Sequence, residues 1–151
     1  MYKGKIMPSL IKDENCIFCK IIAGQLPCCK VYEDAAVIAF LDINPIVHGH
    51  TLVVPKNHYP TILELPFSEG GALTKALKVV GGALLHGTKA NGFNCVQNNF
   101  SAAGQMVFHV HWHLIPRFDN DQLLLWPNGK YADMDQMQKV ASTISKHIAN
   151  A

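Results

Sequence analysis

Arginine is almost missing from this chain: Arg117 is the single one in 151 residues, and lysine carries nearly all the positive charge. Phosphate-backbone and guanine recognition draw on clustered arginine, so a formal net charge of +2 spread over lysines argues against a nucleic-acid partner. No apolar run reaches the roughly 18 residues of a membrane-crossing helix, and the opening MYKGKIMPSLIKDEN is too short and interrupted for a signal peptide. A cytoplasmic protein without a membrane partner is expected. Repeats and low-complexity tracts are lacking, and neither a Walker-type loop nor a carboxylate cluster marks a magnesium site. Cysteines are few and odd in number (Cys16, Cys19, Cys28, Cys29 and Cys95), which favours reduced thiols or metal ligation over a disulfide framework.

What the chain does have is apolar content, 49% of its residues, enough for one core that buries about two-thirds of the unfolded surface. Residues 1–14 read as a flexible leader and residues 15–151 as one domain closed by a C-terminal helix. CIFCKIIAGQLP has helical spacing and is stopped by Gly24 and Pro27. KVYED, AVIAFLD and TLVVPK read as three strands, the first two joined by a tight turn near Glu33 and Asp34. Leu73, Leu77, Val80 and Leu84 mark a long amphipathic helix over 69–91, weakened by Gly81-Gly82 and stopped by Gly92. FNCVQNN and VFHVHWHLIP are the last strands. Asp133 and Gln136 resemble a capping box before a helix whose apolar side is Met137, Val140, Ala141, Ile144 and Ile148. The outcome expected is α+β, an antiparallel sheet backed by helices.

In FHVHWHLIP, three histidines stand at every second position. On a strand His109, His111 and His113 share one face, with imidazoles about 6–7 Å apart, while Val110, Trp112 and Leu114 share the other. The apolar face packs a core. Three imidazoles buried without partners would cost about 1–3 kcal/mol each, so the histidine face needs another use. Cys16 and Cys19, spaced C-x-x-C on one helical turn, place two sulfurs on one side and supply half of a tetrahedral zinc site; two reduced thiols are the alternative.

The H-x-H-x-H-x-x pattern with apolar residues between resembles the histidine triad (HIT) family of nucleotide hydrolases and transferases, and most of all its bacterial Hint-like branch. CIFCKIIAGQLP, AFLDINPIVHGHTLVVPKNH and NNFSAAGQMVFHVHWHLIPR extend the likeness over residues 15–117. The resemblance implies a five-stranded antiparallel sheet with two main helices, dimerising into a ten-stranded sheet. It also implies a purine nucleotide phosphoramidate or nucleotidyl hydrolase in which His111 attacks the α-phosphate and carries the nucleotidyl group. His113 then contacts phosphate and leaving group, and His50 supports them. His48 has no such match and reads as an exposed loop histidine. Dinucleoside polyphosphate hydrolysis and non-catalytic nucleotide binding are the alternatives.

A neutral imidazole is nucleophilic near neutral pH, and the phosphoramidate it forms can be cleaved by water in a second step. Gly104 lacks a Cβ, so a phosphate can sit against that turn and accept from the amides of Gln105 and Met106. By resemblance Asn98 and Gln105 bind phosphate or leaving group, whereas Met106 departs from the serine some Hint proteins carry and offers only its backbone amide. Asp42 offers two carboxylate oxygens to the ribose hydroxyls. Phe18, Ile21, Phe40 and Ile43 match the family's base pocket, although by pattern alone they could be core. Zinc-carrying bacterial relatives pick His58 and His109 to join Cys16 and Cys19 around a structural Zn2+, a closed set with no place for water.

Overall fold

Five stretches pair into one antiparallel sheet in the computed structural model, which describes residues 10–124 and 127–148. They are β1 (Lys30–Glu33), β2 (Val37–Leu41), β3 (Thr51–Pro55), β4 (Gly92–Gln97) and β5 (Trp112–Arg117), in the order β1-β2-β3-β5-β4. The helices are α1 (Ile17–Ile22), α2 (Gly70–Thr88) and α3 (Met134–Ile148). Most of the expected leader, residues 1–9, lies outside the described residues. The chain falls into two units, Met1–Asn120 and Asp121–Ala151, and α3 belongs to the second.

Side chains alternate across the sheet, and both faces are covered. Val37, Ala39, Val53 and Leu114 meet Leu73, Ala76, Val80 and Leu84 of α2. Ile38, Phe40, Leu52 and Val54 cluster with Cys16, Phe18 and Cys19 from the α1 side. A central strand buried on both faces reads as a continuous apolar run, which is why VIAF in β2 shows no polar alternation.

Local chemistry sets the element ends. Asp34 turns β1 into β2 by accepting from the amides of Ala36 and Val37 at 2.9 and 2.8 Å. Gly24, at φ +73°, ends α1 in a Schellman arrangement, with Gly24 N–H on the Ile21 carbonyl and Gln25 N–H on that of Lys20. One expectation for α2 is corrected. It stops at Thr88 with Lys89 in the left-handed region at φ 58°, and Gly92 instead opens β4. Gly81 gives the Phe93 ring its room, since a Cβ there would stand 2.7 Å from Phe93 Cζ. In the second unit Asp133 caps α3 through the Gln136 amide at 2.8 Å, while the Gln136 side chain reaches back to Ala132 rather than to Asp133. Among the described residues no helix is long and apolar enough to cross a membrane.

Candidate active site and metal centre

The triad does not lie wholly on a strand, which corrects the expected strand over VFHVHWHLIP: β5 begins at Trp112. The ladder between β3 and β5 stops at Val53 and Trp112. Further along β3, Pro55 has no amide to donate, and its carbonyl accepts from His109 Nε2 at 2.8 Å. The Val110 amide donates to Tyr59 O at 2.7 Å instead. Val110 and Leu114 are fully buried as expected. The His111 and His113 ring centres stand 4.9 Å apart, closer than a regular strand would set them.

His109 separates from the other two histidines and joins Cys16, Cys19 and His58, whose ligand atoms lie within 4.8 Å of one another. Cys16 Sγ and Cys19 Sγ stand 3.5 and 3.6 Å from His109 Nδ1, and Cys19 Sγ stands 3.4 Å from His58 Nδ1. Zn–S and Zn–N bonds at tetrahedral angles place sulfur about 3.5 Å from nitrogen, so the four donors fit a zinc ion. The tautomer agrees: His109 donates from Nε2 to Pro55 O, which leaves the Nδ1 lone pair facing the sulfurs. Burial first, and then the neighbouring His58 and His111, lowers His109 to about 4 despite the Pro55 carbonyl, so the ring is neutral as a metal ligand requires.

His111 and His113 present complementary nitrogens. His111 Nδ1 donates to the His109 carbonyl at 2.7 Å, so Nε2 holds a lone pair. Ile46 N–H donates to His50 Nδ1 at 3.2 Å, so His50 Nε2 carries its proton and donates to His113 Nδ1 at 2.9 Å. His113 Nε2 is therefore an N–H donor. These tautomers are assigned from the hydrogen-bond network. Neither outward nitrogen has a hydrogen-bond partner among the described residues, and neither is sealed from solvent. Burial lowers His50 and His111, and burial together with the His111 and His50 rings lowers His113 to about 4. All three rings are neutral at pH 7, His111 with a lone pair and His113 with an N–H on its outward nitrogen.

A family model for the HIT domain matches residues 23–120. The chain belongs to the HIT family. Among its relatives, adenylylsulfatase HINT3 of Arabidopsis thaliana is 44% identical over 80% of this chain; the match spans only 60% of that longer protein. The adenosine 5'-monophosphoramidase hnt1 of Schizosaccharomyces pombe is 42% identical over 89% of this chain and 98% of its own length. The crystal structure of SMU.412c from Streptococcus mutans UA159 superposes with a TM-score of 0.85 at 42% identity, covering 91% of this chain and 87% of that one. A Zn-bound histidine triad family protein from Mycobacterium smegmatis gives 0.70 at 29% identity, covering 91% and 98%.

The HIT residues expected around a nucleotide divide into three groups. Phe18 and Phe40 are core: they are buried, their ring centres lie 5.6 Å apart, and Phe18 sets its edge against His111 at 5.1 Å. Ile21 is half-buried beside them, whereas Ile43 is 91% exposed and free to meet a ligand. Asp42 serves its own turn through Oδ1, which accepts from Asn44 N–H at 2.8 Å, and holds Oδ2 3.7 Å from His50 Nδ1. Each carboxylate oxygen has a second lone pair, so ribose contact stays open. His48, exposed as expected, lines a hollow with Ile46, Val47, Gly49, Thr88 and Phe118.

Gln105, expected to bind phosphate or leaving group, is engaged by the protein's own backbone. Its side chain is buried, accepting from Phe100 N–H at 2.8 Å and donating to Pro60 O at 2.6 Å and Val107 O at 3.1 Å. Its amide is also engaged, with Phe100 O at 3.2 Å. Gln105 thus ties the loop before the triad to the loop after β3. Gly104, at φ +86°, and the exposed Met106 keep the backbone approach open, and the Met106 amide has no partner among the described residues. The Asn98 side-chain nitrogen lies 3.9 Å from where a Gly104 Cβ would be. Sequence reasoning missed Asn99, which accepts from Ile62 N–H at 2.9 Å and bonds the Gln97 amide; a loop asparagine carries no pattern that announces it. Cys28, Cys29 and Cys95 are free surface thiols.

Proposed function

We propose that this protein is a purine nucleotide phosphoramidate or nucleotidyl hydrolase that works through a covalent nucleotidyl-His111 intermediate. The observation that carries the reading is the pairing of a lone pair on His111 Nε2 with an N–H on the neighbouring His113 Nε2. His111 Nε2 attacks the α-phosphorus, the bond to the leaving group breaks, and His113 Nε2–H donates a hydrogen bond that stabilises the departing atom, which takes its proton from solvent. Water then attacks the phosphorus and loses its proton to solvent as the phosphorus–nitrogen bond breaks, which frees His111 and the nucleoside monophosphate. The His109 carbonyl holds His111 in its reactive tautomer, and His50 does the same for His113. Asp42 takes the ribose, Ile43 meets the base, and the Met106 amide and Asn98 receive phosphate oxygens.

Relatives named adenylylsulfatase and adenosine 5'-monophosphoramidase support a nucleotide substrate with a small leaving group on the α-phosphate. Cys16, Cys19, His58 and His109 would hold a structural zinc, in keeping with the Zn-bound relative, and the ion's contribution is to staple α1 to the triad segment. The outer edge of β4, unpaired within the sheet, suits a second copy and a ten-stranded sheet.

Side-by-side turnover of adenosine 5'-phosphoramidate and a diadenosine polyphosphate tests the substrate assignment. The phosphoramidate is expected to have the higher kcat/KM by at least about tenfold, about 1.4 kcal/mol of transition-state binding. A dinucleotide preferred by orders of magnitude would overturn it.

A further inference from the structure

We propose that Asp13 is a positioning residue for the Cys16, Cys19, His58 and His109 metal centre, setting the ligating tautomer of His58 beside Cys19. The inference rests on the zinc reading above and adds a residue that no motif contains.

Every polar group of Asp13 engages this centre or the turn that carries it. Its backbone N–H points at Cys19 Sγ at 3.4 Å, and its carbonyl accepts from the Cys16 amide at 3.1 Å. Carboxylate Oδ1 accepts from Asn15 N–H at 2.8 Å, and Oδ2 stands 3.9 Å from His58 Nε2. The N–H aimed at sulfur helps fix where Cys19 Sγ stands in the cluster. A carboxylate beside Nε2 favours the proton there and leaves Nδ1, 3.4 Å from Cys19 Sγ, as the donor to a metal. His109 has a closer acceptor in the Pro55 carbonyl, 2.8 Å from its Nε2. Neighbouring contacts hold Asp13 in place: Ile11 N–H donates to Asn57 Oδ1 at 2.9 Å, and His58 N–H donates to Ile11 O at 2.9 Å. The segment before α1 is thereby tied to Asn57 and to His58 itself.

Loss of such an outer partner lowers metal affinity by about 10–100-fold in characterised sites. The test is competition for zinc between the full-length protein and a chromophoric chelator, read from chelator absorbance, for the wild type, Asp13→Ala and Asp13→Asn. Asp13→Ala should bind zinc about 10–100-fold more weakly at unchanged stoichiometry. Both variants keep the backbone N–H; Asp13→Asn also keeps an oxygen for Asn15 but loses the charge facing His58, and should fall between. Cobalt-loaded protein provides a second readout, since a disturbed His58 shifts the visible d–d bands. Wild-type zinc affinity and an unchanged cobalt spectrum in Asp13→Ala would overturn the role of Asp13. A wild-type protein that takes up no zinc would overturn the metal reading itself.

Discussion

Changing His111 to asparagine should lower turnover of a nucleotide phosphoramidate by at least about a thousandfold while leaving nucleotide affinity within a few fold. Asparagine is close in size, and its side chain can still donate to the His109 carbonyl as Nδ1 does at 2.7 Å. What it lacks is the Nε2 lone pair, so ground-state contacts persist and bond formation fails. Steady-state rates with equilibrium binding of a nucleoside monophosphate separate these effects. An unchanged rate would remove the covalent mechanism, and equal losses of binding and rate would mean that His111 shapes the pocket rather than reacting.

Removing the metal should have the next largest effect, on stability and on rate together. Wild-type protein should carry about one zinc per chain, and Cys16→Ser should carry none. A ligand present at a thousand times its Kd stabilises the folded state by about 4 kcal/mol, and in a domain of this size that moves Tm by roughly 8–16 °C. The rate falls as well because His109 does two jobs. Its ring stands among the sulfurs, and its carbonyl fixes the tautomer of His111. With its ring released, the carbonyl loses its anchor, so kcat should drop more than KM rises. Chelator treatment of the wild type should reproduce the variant, which distinguishes metal loss from a folding defect. Zinc retained at full stoichiometry in Cys16→Ser would refute the ligand set.

Much of this architecture was legible in the residues because periodic patterns report on faces. The spacing of Leu73, Leu77, Val80 and Leu84 marked the helix that backs the sheet, and the H-x-H-x-H and C-x-x-C spacings marked two clusters that the fold brings side by side. Features that depend on where a strand ends were not legible. The expected strand over the triad starts late because Pro55, distant in sequence, cannot continue the ladder and spends its carbonyl on His109. For Gln105 the sequence shows a glutamine beside Gly104 with the chemistry to bind phosphate, but not the backbone groups of Pro60, Phe100 and Val107 that its side-chain amide meets in the fold. Asp13 carried no signal, since its importance comes from contacts with Cys19 and His58 that only the folded chain creates. Phe18 and Phe40 are open to either reading from pattern alone; the fold buries both and leaves Ile43 exposed.

Rapid acid-free quenching during turnover of a phosphoramidate carrying a labelled nucleotidyl group, followed by intact-mass and peptide mapping, tests the central claim most directly. The account predicts one nucleotidyl group per chain at early times, attached through nitrogen to His111 and absent from His111→Asn. A protein that turns substrate over while every time point shows an unmodified His111, or an adduct on another residue, would contradict it.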